Sequence, residues 1–362
     1  ASQMPELGLN ASASHAGGPL VNEAGTSGSL FTARATISWE VDLLGKLSGE
    51  RKAERLDAQA AAAMLADTRL MIEAETVRTY FQARYLSLAS SEASRQSALT
   101  AEATNISANR QALGLIDQAS INQAYQRRDV IQHSAADLAQ NRDTALRRLG
   151  FLLGDSTSPA LDMGALPSAP HVPAGLPGAM LARRPDVAAA IARLEASDSR
   201  LRAAKSSWLP SFSLTASGGA ASPSLGQILA SSARDFGLSA LLSLPIFDGG
   251  RRKAAIGGRR AERDLAAAQY RESVLAALRE VNDSLGAIQA RDTGFELARD
   301  RLALAESNHT IAASRAAHGL ASRSAAVEAE LAASELRMQE LAAHHDQIAA
   351  SIDLIEVLGG GW

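Results

Sequence analysis

Between Phe31 and Leu43 the chain alternates without a break, with Phe31, Ala33, Ala35, Ile37, Trp39, Val41 and Leu43 on one parity and Thr32, Arg34, Thr36, Ser38, Glu40 and Asp42 on the other. Successive strand side chains point to opposite faces, so this run predicts a strand with one apolar and one polar face. Phe236, Leu238, Ala240, Leu242, Leu244 and Ile246 repeat the pattern; Leu7, Leu9, Ala11 and Phe212, Leu214, Ala216 predict a partner strand for each. Runs of roughly 9–13 residues are long enough for a tilted strand to cross a bilayer. After Gly45 and Gly250 the period becomes helical. Leu278, Val281, Leu285 and Ile288 fall at heptad spacing, as do Leu297, Leu304 and Ile311, then Leu341, Ile348 and Ile355. No proline follows until 159 in the first stretch, and none follows 245 in the second. Helices of about 65 residues, roughly 100 Å at 1.5 Å per residue, are predicted to reach turns at Gly114 and Gly319.

The chain also repeats itself. Met4-Pro5 and Leu209-Pro210 each open an alternating run, and the same offset of 205 carries Ser38 onto Ser243, Gly45 onto Gly250, Glu75 onto Glu280, Gly114 onto Gly319 and Gly154 onto Gly359. No gap is needed, which predicts an internal duplication of residues 1–157 and 206–362, each ordered strand, loop, strand, long helix, turn, long helix. The chain divides accordingly into a strand hairpin at 1–45, a helical hairpin at 46–157, a linker at 158–180, a helix-bearing segment at 181–208, a second strand hairpin at 209–248 and a second helical hairpin at 249–362. The linker holds five of the eleven prolines and reads as an extended surface segment. Arg183-Arg184-Pro185-Asp186 opens the helix before the second copy, with proline suited to a first helical turn. The first copy has no counterpart before Ala1, so the duplication leads us to expect residues upstream of it.

Composition sharpens this picture. Aromatic residues make up only 4% of the chain, and alanine dominates its 46% apolar fraction, which suits long helices whose backbones approach closely. A net charge of −3 offers no basic surface for nucleic acid. The absence of cysteine excludes disulfides, thiol catalysis and cysteine metal sites. No run of 18 apolar residues exists, so a membrane-spanning helix is not expected and a membrane role falls to the strands. Four such strands cannot close a barrel alone, because their edges would leave backbone groups unpaired in lipid; several chains must share one barrel.

Ser38-Trp39-Glu40-Val41-Asp42-Leu43-Leu44-Gly45-Lys46, Arg183-Arg184-Pro185-Asp186-Val187, Leu244-Pro245-Ile246-Phe247-Asp248-Gly249-Gly250-Arg251 and Leu358-Gly359-Gly360-Gly361-Trp362 together resemble signatures of the outer membrane factor family. These are TolC-like channels, in particular the nodulation-type efflux lipoproteins, and the resemblance covers nearly the whole chain. It implies an α+β membrane protein: a homotrimer whose 12-stranded β-barrel, four strands per chain, sits among outer-membrane lipids and is continued by a long α-helical barrel in the periplasm. It further implies a passive exit duct rather than an enzyme, without cofactor or metal, partnered by a periplasmic adaptor protein and an inner-membrane RND-type transporter. The family's lipoprotein members are anchored through an N-terminal cysteine, which this sequence lacks, and the expected missing upstream residues account for that. A type I secretion duct for proteins shares the architecture. A periplasmic coiled-coil scaffold explains the helices but not four amphipathic strands.

The helix turns at 113–123 and 318–328 are the breaks in otherwise continuous helices and are expected to form the periplasmic gate, with Gly114 and Gly319 at the tips. Family members often carry acidic residues six and nine positions after the tip glycine. Here the second copy has Ala325 and Glu328, and the first has Ser120 and Gln123, with Asp117 nearer the turn. Glu328 therefore supplies at most one acidic ring, and a solvated helix residue is the alternative. Phe31, Trp39, Phe236 and Phe247 are candidates for an interfacial aromatic belt. The basic residues after Gly249-Gly250 are expected near lipid head groups. His344, His345 and Asp346 do not make a metal site by themselves, since adjacent helical residues point about 100° apart.

Overall fold

The computed structural model describes residues 3–17, 28–155, 164–170 and 183–360. Its elements are β1 (Glu6–Ala16), β2 (Gly28–Val41), α1 (Lys46–Ala112), α2 (Gln118–Leu152), α3 (Pro185–Ser206), β3 (Ser211–Ser222), β4 (Arg234–Ser243), α4 (Arg251–Ala317) and α5 (Arg323–Val357), with two short 3-10 turns between β3 and β4. α1 and α4 each run 67 residues, and α2 and α5 each run 35. Both ends of α1 and α2 lie 205 residues before the matching ends of α4 and α5.

The chain forms two compact units, one of residues 1–63 and 186–273 and the other of residues 64–185 and 274–362. In the first, the four strands make an antiparallel sheet in chain order. Its register pairs Leu7 with Ile37, Ile37 with Ala216 and Ala216 with Leu238, so residues of like polarity share a face across all four strands. β4 stops at Ser243, short of the alternation that continues to Ile246 in the sequence. Pro245 has no N–H for the ladder and restricts Leu244 before it. β2 runs to Val41, where Asp42 leaves the strand to accept from the backbone N–H groups of Leu47 (3.0 Å) and Ser48 (2.6 Å) at the start of α1. α3 packs closely on α1: Ala53, Leu56 and Ala196 form a buried cluster, and a Cβ at Gly49 would lie 3.2 Å from the Ala203 Cβ.

The second unit is helical. Ala83, Leu86 and Ala145 join α1 to α2, and Val281, Leu354 and Leu358 join α4 to α5. Small alanines at the first of these crossings let α1 and α2 approach closely, as the alanine-rich composition suggests. Of the linker expected at 158–180, only 164–170 are described; they lie mostly on the surface but are tethered at one point. Leu166 is 7% exposed and joins Ala74, Ile348 and Ile352 in one core, while Arg84 donates to the Gly164 (2.8 Å) and Ala165 (2.9 Å) carbonyls. Burying this leucine contributes about 1.5–3 kcal/mol, which adds to the two Arg84 hydrogen bonds in docking the stretch.

Ion pairs cross between helices throughout this unit. Arg78 bridges from α1 to Asp353 (2.7 Å) and Glu356 of α5, and Arg337 of α5 reaches Glu92 (3.0 Å) of α1 and Glu306 (2.7 Å) of α4. The Arg78 guanidinium is partly desolvated, but its hydrogen bonds to Asp353 and Glu356 outweigh that and hold it firmly protonated. Gly359, with φ +89°, is wedged against the Arg183 carbonyl, where a Cβ would stand 3.2 Å from the oxygen. Two of the segments that carried the family resemblance therefore meet in space.

Candidate channel wall and helix-tip gate

The sheet has one greasy and one wet surface. Its apolar face, from Leu7 and Leu9 through Ile37 and Leu214 to Phe236 and Leu238, is uncovered over much of its area; Phe236 is 95% exposed and Leu238 83%. The opposite face holds Ser12 bonded to Thr32 (2.7 Å), with Thr36, Ser38, Thr215 and Ser217 in the same rows. Arg34 of β2 and Asp235 of β4 form an ion pair on this polar face. Both are paired in register with Gly219 of β3, whose missing side chain leaves room between them. A contiguous apolar face of this extent needs a nonaqueous neighbour.

The belt candidates fall into two zones. Phe31 and Phe236 lie toward the β1–β2 and β3–β4 connections, whereas Trp39 lies at the helix-bearing end of the sheet and donates its indole N–H to the Gln3 carbonyl (3.0 Å). Phe247 is exposed but stands beyond the end of β4, so it belongs to the strand-to-helix elbow rather than to a strand.

The elbow itself centres on Arg252. Its side chain is 9% exposed, and its guanidinium pairs with Asp248 (2.6 Å), donates to the Pro245 carbonyl (2.7 Å) and lies 4.4 Å from the centre of the Trp208 ring. Arg251 and Lys253 of the same basic run are exposed, but this corrects the expectation of head-group contact for Arg252, which faces inward and is engaged. Spacing alone could not reveal it, because Trp208 lies far away in sequence. The Arg252 hydrogen bond holds the Asp248 carboxyl below the usual carboxylate range, against the opposing effect of burial. The stabilisation this gives is present above the unfolded-state carboxylate value and is lost as pH falls through the depressed one. In the first copy Asp42 does the same capping work one residue out of register, and the N–H groups of Ser48 and Leu47 overcome burial to depress its carboxyl.

At the other end of the helices, Gly114 and Gly319 both have φ +70°, a left-handed conformation that a side chain would strain. Each ends a long helix with the next residue's N–H returned to a helical carbonyl, Leu115 to Arg110 and Leu320 to Arg315, both at 2.8 Å. The shorter helices then start on side-chain caps, Asp117 accepting from the Ser120 N–H (2.8 Å) and Ser322 from the Ala325 N–H (3.2 Å). Asp117 is thus committed to capping, and the Ser120 hydroxyl and N–H lower its carboxyl pKa. Glu328 is exposed on the second turn of α5. Arg323, at the start of the same helix, pairs with Glu102 (2.7 Å), a contact between hairpins that the sequence did not disclose.

His344 and His345 diverge as expected for adjacent helical residues: one stacks on Phe295 (4.6 Å) and the other on Tyr85 (4.8 Å). Among the described residues no group of histidines and carboxylates could hold a metal ion, and no helix is long and apolar enough to cross a membrane.

Comparison with known proteins places the chain in a family. The family model for the outer membrane efflux protein matches residues 1–155 and 176–360. The toluene efflux pump outer membrane protein TtgC of Pseudomonas putida is 30% identical over 53% of this chain and 40% of its own length. The toluene efflux pump outer membrane protein TtgF of the same species is 28% identical over 94% of this chain and 71% of its own. The chain thus spans about two fifths of the length of the first of these relatives. The CmeC outer membrane channel of Campylobacter jejuni has the same fold, with a TM-score of 0.85 at 20% identity, covering 99% of this chain and 78% of that one. The chain belongs to the outer membrane efflux protein family.

Proposed function

We propose that this chain is one third of an outer-membrane exit duct, a passive channel for drugs, metals or other small molecules expelled by an inner-membrane pump. The observation that carries this reading is the open four-stranded sheet, apolar on one face and polar on the other, whose strands lead directly into helices of 67 residues. Strands of 10–14 residues match a tilted bilayer crossing. β1 and β4 are edges, and unpaired edges are not tolerated in lipid. Three copies of four strands supply a closed 12-stranded barrel with the polar faces lining the lumen. The matched bounds of α1 with α4 and of α2 with α5 support an internal duplication, in which each chain gives the barrel two equivalent hairpins.

The helices then form the duct wall. Leu297, Leu304 and Ile311 make an exposed apolar stripe along α4 and are the natural contacts between neighbouring chains. No step of this function needs a catalytic residue or a cofactor. The narrow end lies at the helix tips, where a periplasmic adaptor joins the duct to an RND-type transporter. Native mass measurement in detergent is expected to find three chains; a folded monomer stable without detergent would overturn the reading.

Glu328 is the acidic residue placed to charge the gate. Three copies around the trimer axis would bind di- or trivalent cations, so Glu328→Gln is expected to weaken their block of single-channel current by about tenfold or more. Unchanged block would mean that the gate closes by packing, or that Asp117 supplies its charge.

A further inference from the structure

Below the sheet, α1 and α3 enclose an open groove of about 600 Å³ whose charge is of one sign. Lys52, Arg202 and Lys205 line it together with the hydroxyl-bearing Ser48 and Ser206, and Leu44 closes the end nearest the strands. Among the described residues no carboxylate lines it. Lys52 and Lys205 are exposed, and among the described residues neither has an anionic partner; Arg202 donates only to the Ser199 hydroxyl (3.1 Å). This contrasts with Arg200 on the same helix, which is paired with both Glu54 (3.2 Å) and Asp57.

The groove's side of the wall can be fixed from contacts within this unit. Lys46 reaches Glu40 (3.5 Å), and Glu40 lies on the polar face of the sheet, in register with Ser213. The side of α1 that carries Lys46, Glu50 and Glu54 therefore continues the polar face. At 100° per residue, Ser48 and Lys52 stand about 200° and 240° round the helix from Lys46, on the opposite side. On α3, Arg200 turns toward Glu54, and Arg202 and Lys205 lie about 200° and 140° away from it. Both helices thus present the groove below the apolar face, with exposed Leu43 and Leu44 between it and the strands.

We infer that this groove is a phosphate cradle for an anionic phospholipid in the inner leaflet of the membrane that the sheet crosses. The inference rests on the proposed membrane orientation and gives it a chemical anchor. The apolar strand face takes the acyl chains, Leu43 and Leu44 mark the end of the hydrocarbon, and the cations and hydroxyls take the phosphate oxygens. Cations with no carboxylate to satisfy them, next to a greasy face, are matched in charge and position to a lipid head group. Bound lipid would fix the depth of the barrel and brace the junction of α1 with α3.

The test uses the full chain, delipidated in detergent and titrated with phosphatidylglycerol, phosphatidylcholine or inorganic phosphate, with bound lipid read by native mass spectrometry. Phosphatidylglycerol is expected to bind more tightly than phosphatidylcholine. The combined variant K52Q, R202Q, K205Q should lose about 10- to 100-fold of that affinity, since each cation near an anionic lipid surface contributes up to about fivefold. The variant R251Q, R259Q, altered where these arginines lie with Lys46, Glu50 and Glu54 on the opposite side of the wall, should retain it. Equal affinity in the triple variant and the unaltered chain would overturn the inference, as would inorganic phosphate binding strong enough to displace the lipid. Insertion of both proteins into vesicles of phosphatidylethanolamine and phosphatidylglycerol, scored by resistance to alkaline extraction, separates the two readings. A chain that fails to insert contradicts the membrane duct, whereas one that inserts with unaltered lipid binding contradicts the cradle alone.

Discussion

Leu238→Arg is expected to abolish stable membrane insertion, while Ser239→Arg, one residue along the same strand, is expected to insert nearly as the unaltered chain does. Leu238 lies in the middle of β4, 83% exposed on the apolar face and paired with Ala216, whereas Ser239 is paired with Thr215 on the polar face. An arginine facing lipid near the bilayer midplane costs about 2–4 kcal/mol, and a trimer incurs that cost three times. A lumen-facing arginine stays hydrated and meets no such penalty. The readout is the fraction of folded protein recovered in vesicles after alkaline extraction. Equal recovery for the two variants would mean that both faces of the sheet meet the same medium.

Gly219→Ala is expected to disrupt the pairing of β2 with β3, although it adds only one methyl group. A Cβ at Gly219 would stand 2.2 Å from the Ala33 carbonyl oxygen and 2.7 Å from the Arg34 Cα, and these backbone atoms cannot step aside as a flexible side chain could. A methyl group on the neighbouring Gly218 would meet nothing within 4 Å, so Gly218→Ala is expected to be silent. Overpacking of this kind typically costs about 1–3 kcal/mol and more when backbone must move. Thermal unfolding followed by circular dichroism should place Gly219→Ala several degrees or more below both Gly218→Ala and the unaltered chain. A Gly219→Ala melting curve that overlays theirs would refute the close approach of the two strands.

The strands were legible because a period of two needs no tertiary information, and the apolar parity read from Phe31 to Val41 forms one face of the sheet. Their ends were less so, since the alternation continues through Leu244 and Ile246 while the proline between them ends the ladder. The heptads also carried two meanings that spacing cannot separate. Val281 and Ile288 face the chain's own core, while Leu297, Leu304 and Ile311, at the same spacing, are exposed. Arg252 looked like one member of a basic run; its role emerges only when Trp208, Pro245 and Asp248 converge on it. The tip glycines announced their turns because few residues adopt positive φ. What Glu328 does depends on copies of the chain, which no intrachain spacing encodes.

Single-channel recording of the full chain in planar lipid bilayers tests the central claim most directly. A closed barrel of three chains predicts discrete, uniform current steps, blocked by a trivalent cation added on the side of the helix tips and far less from the other side. Bilayers that demonstrably contain the inserted protein yet carry no discrete steps would contradict a duct and leave the helices as a scaffold.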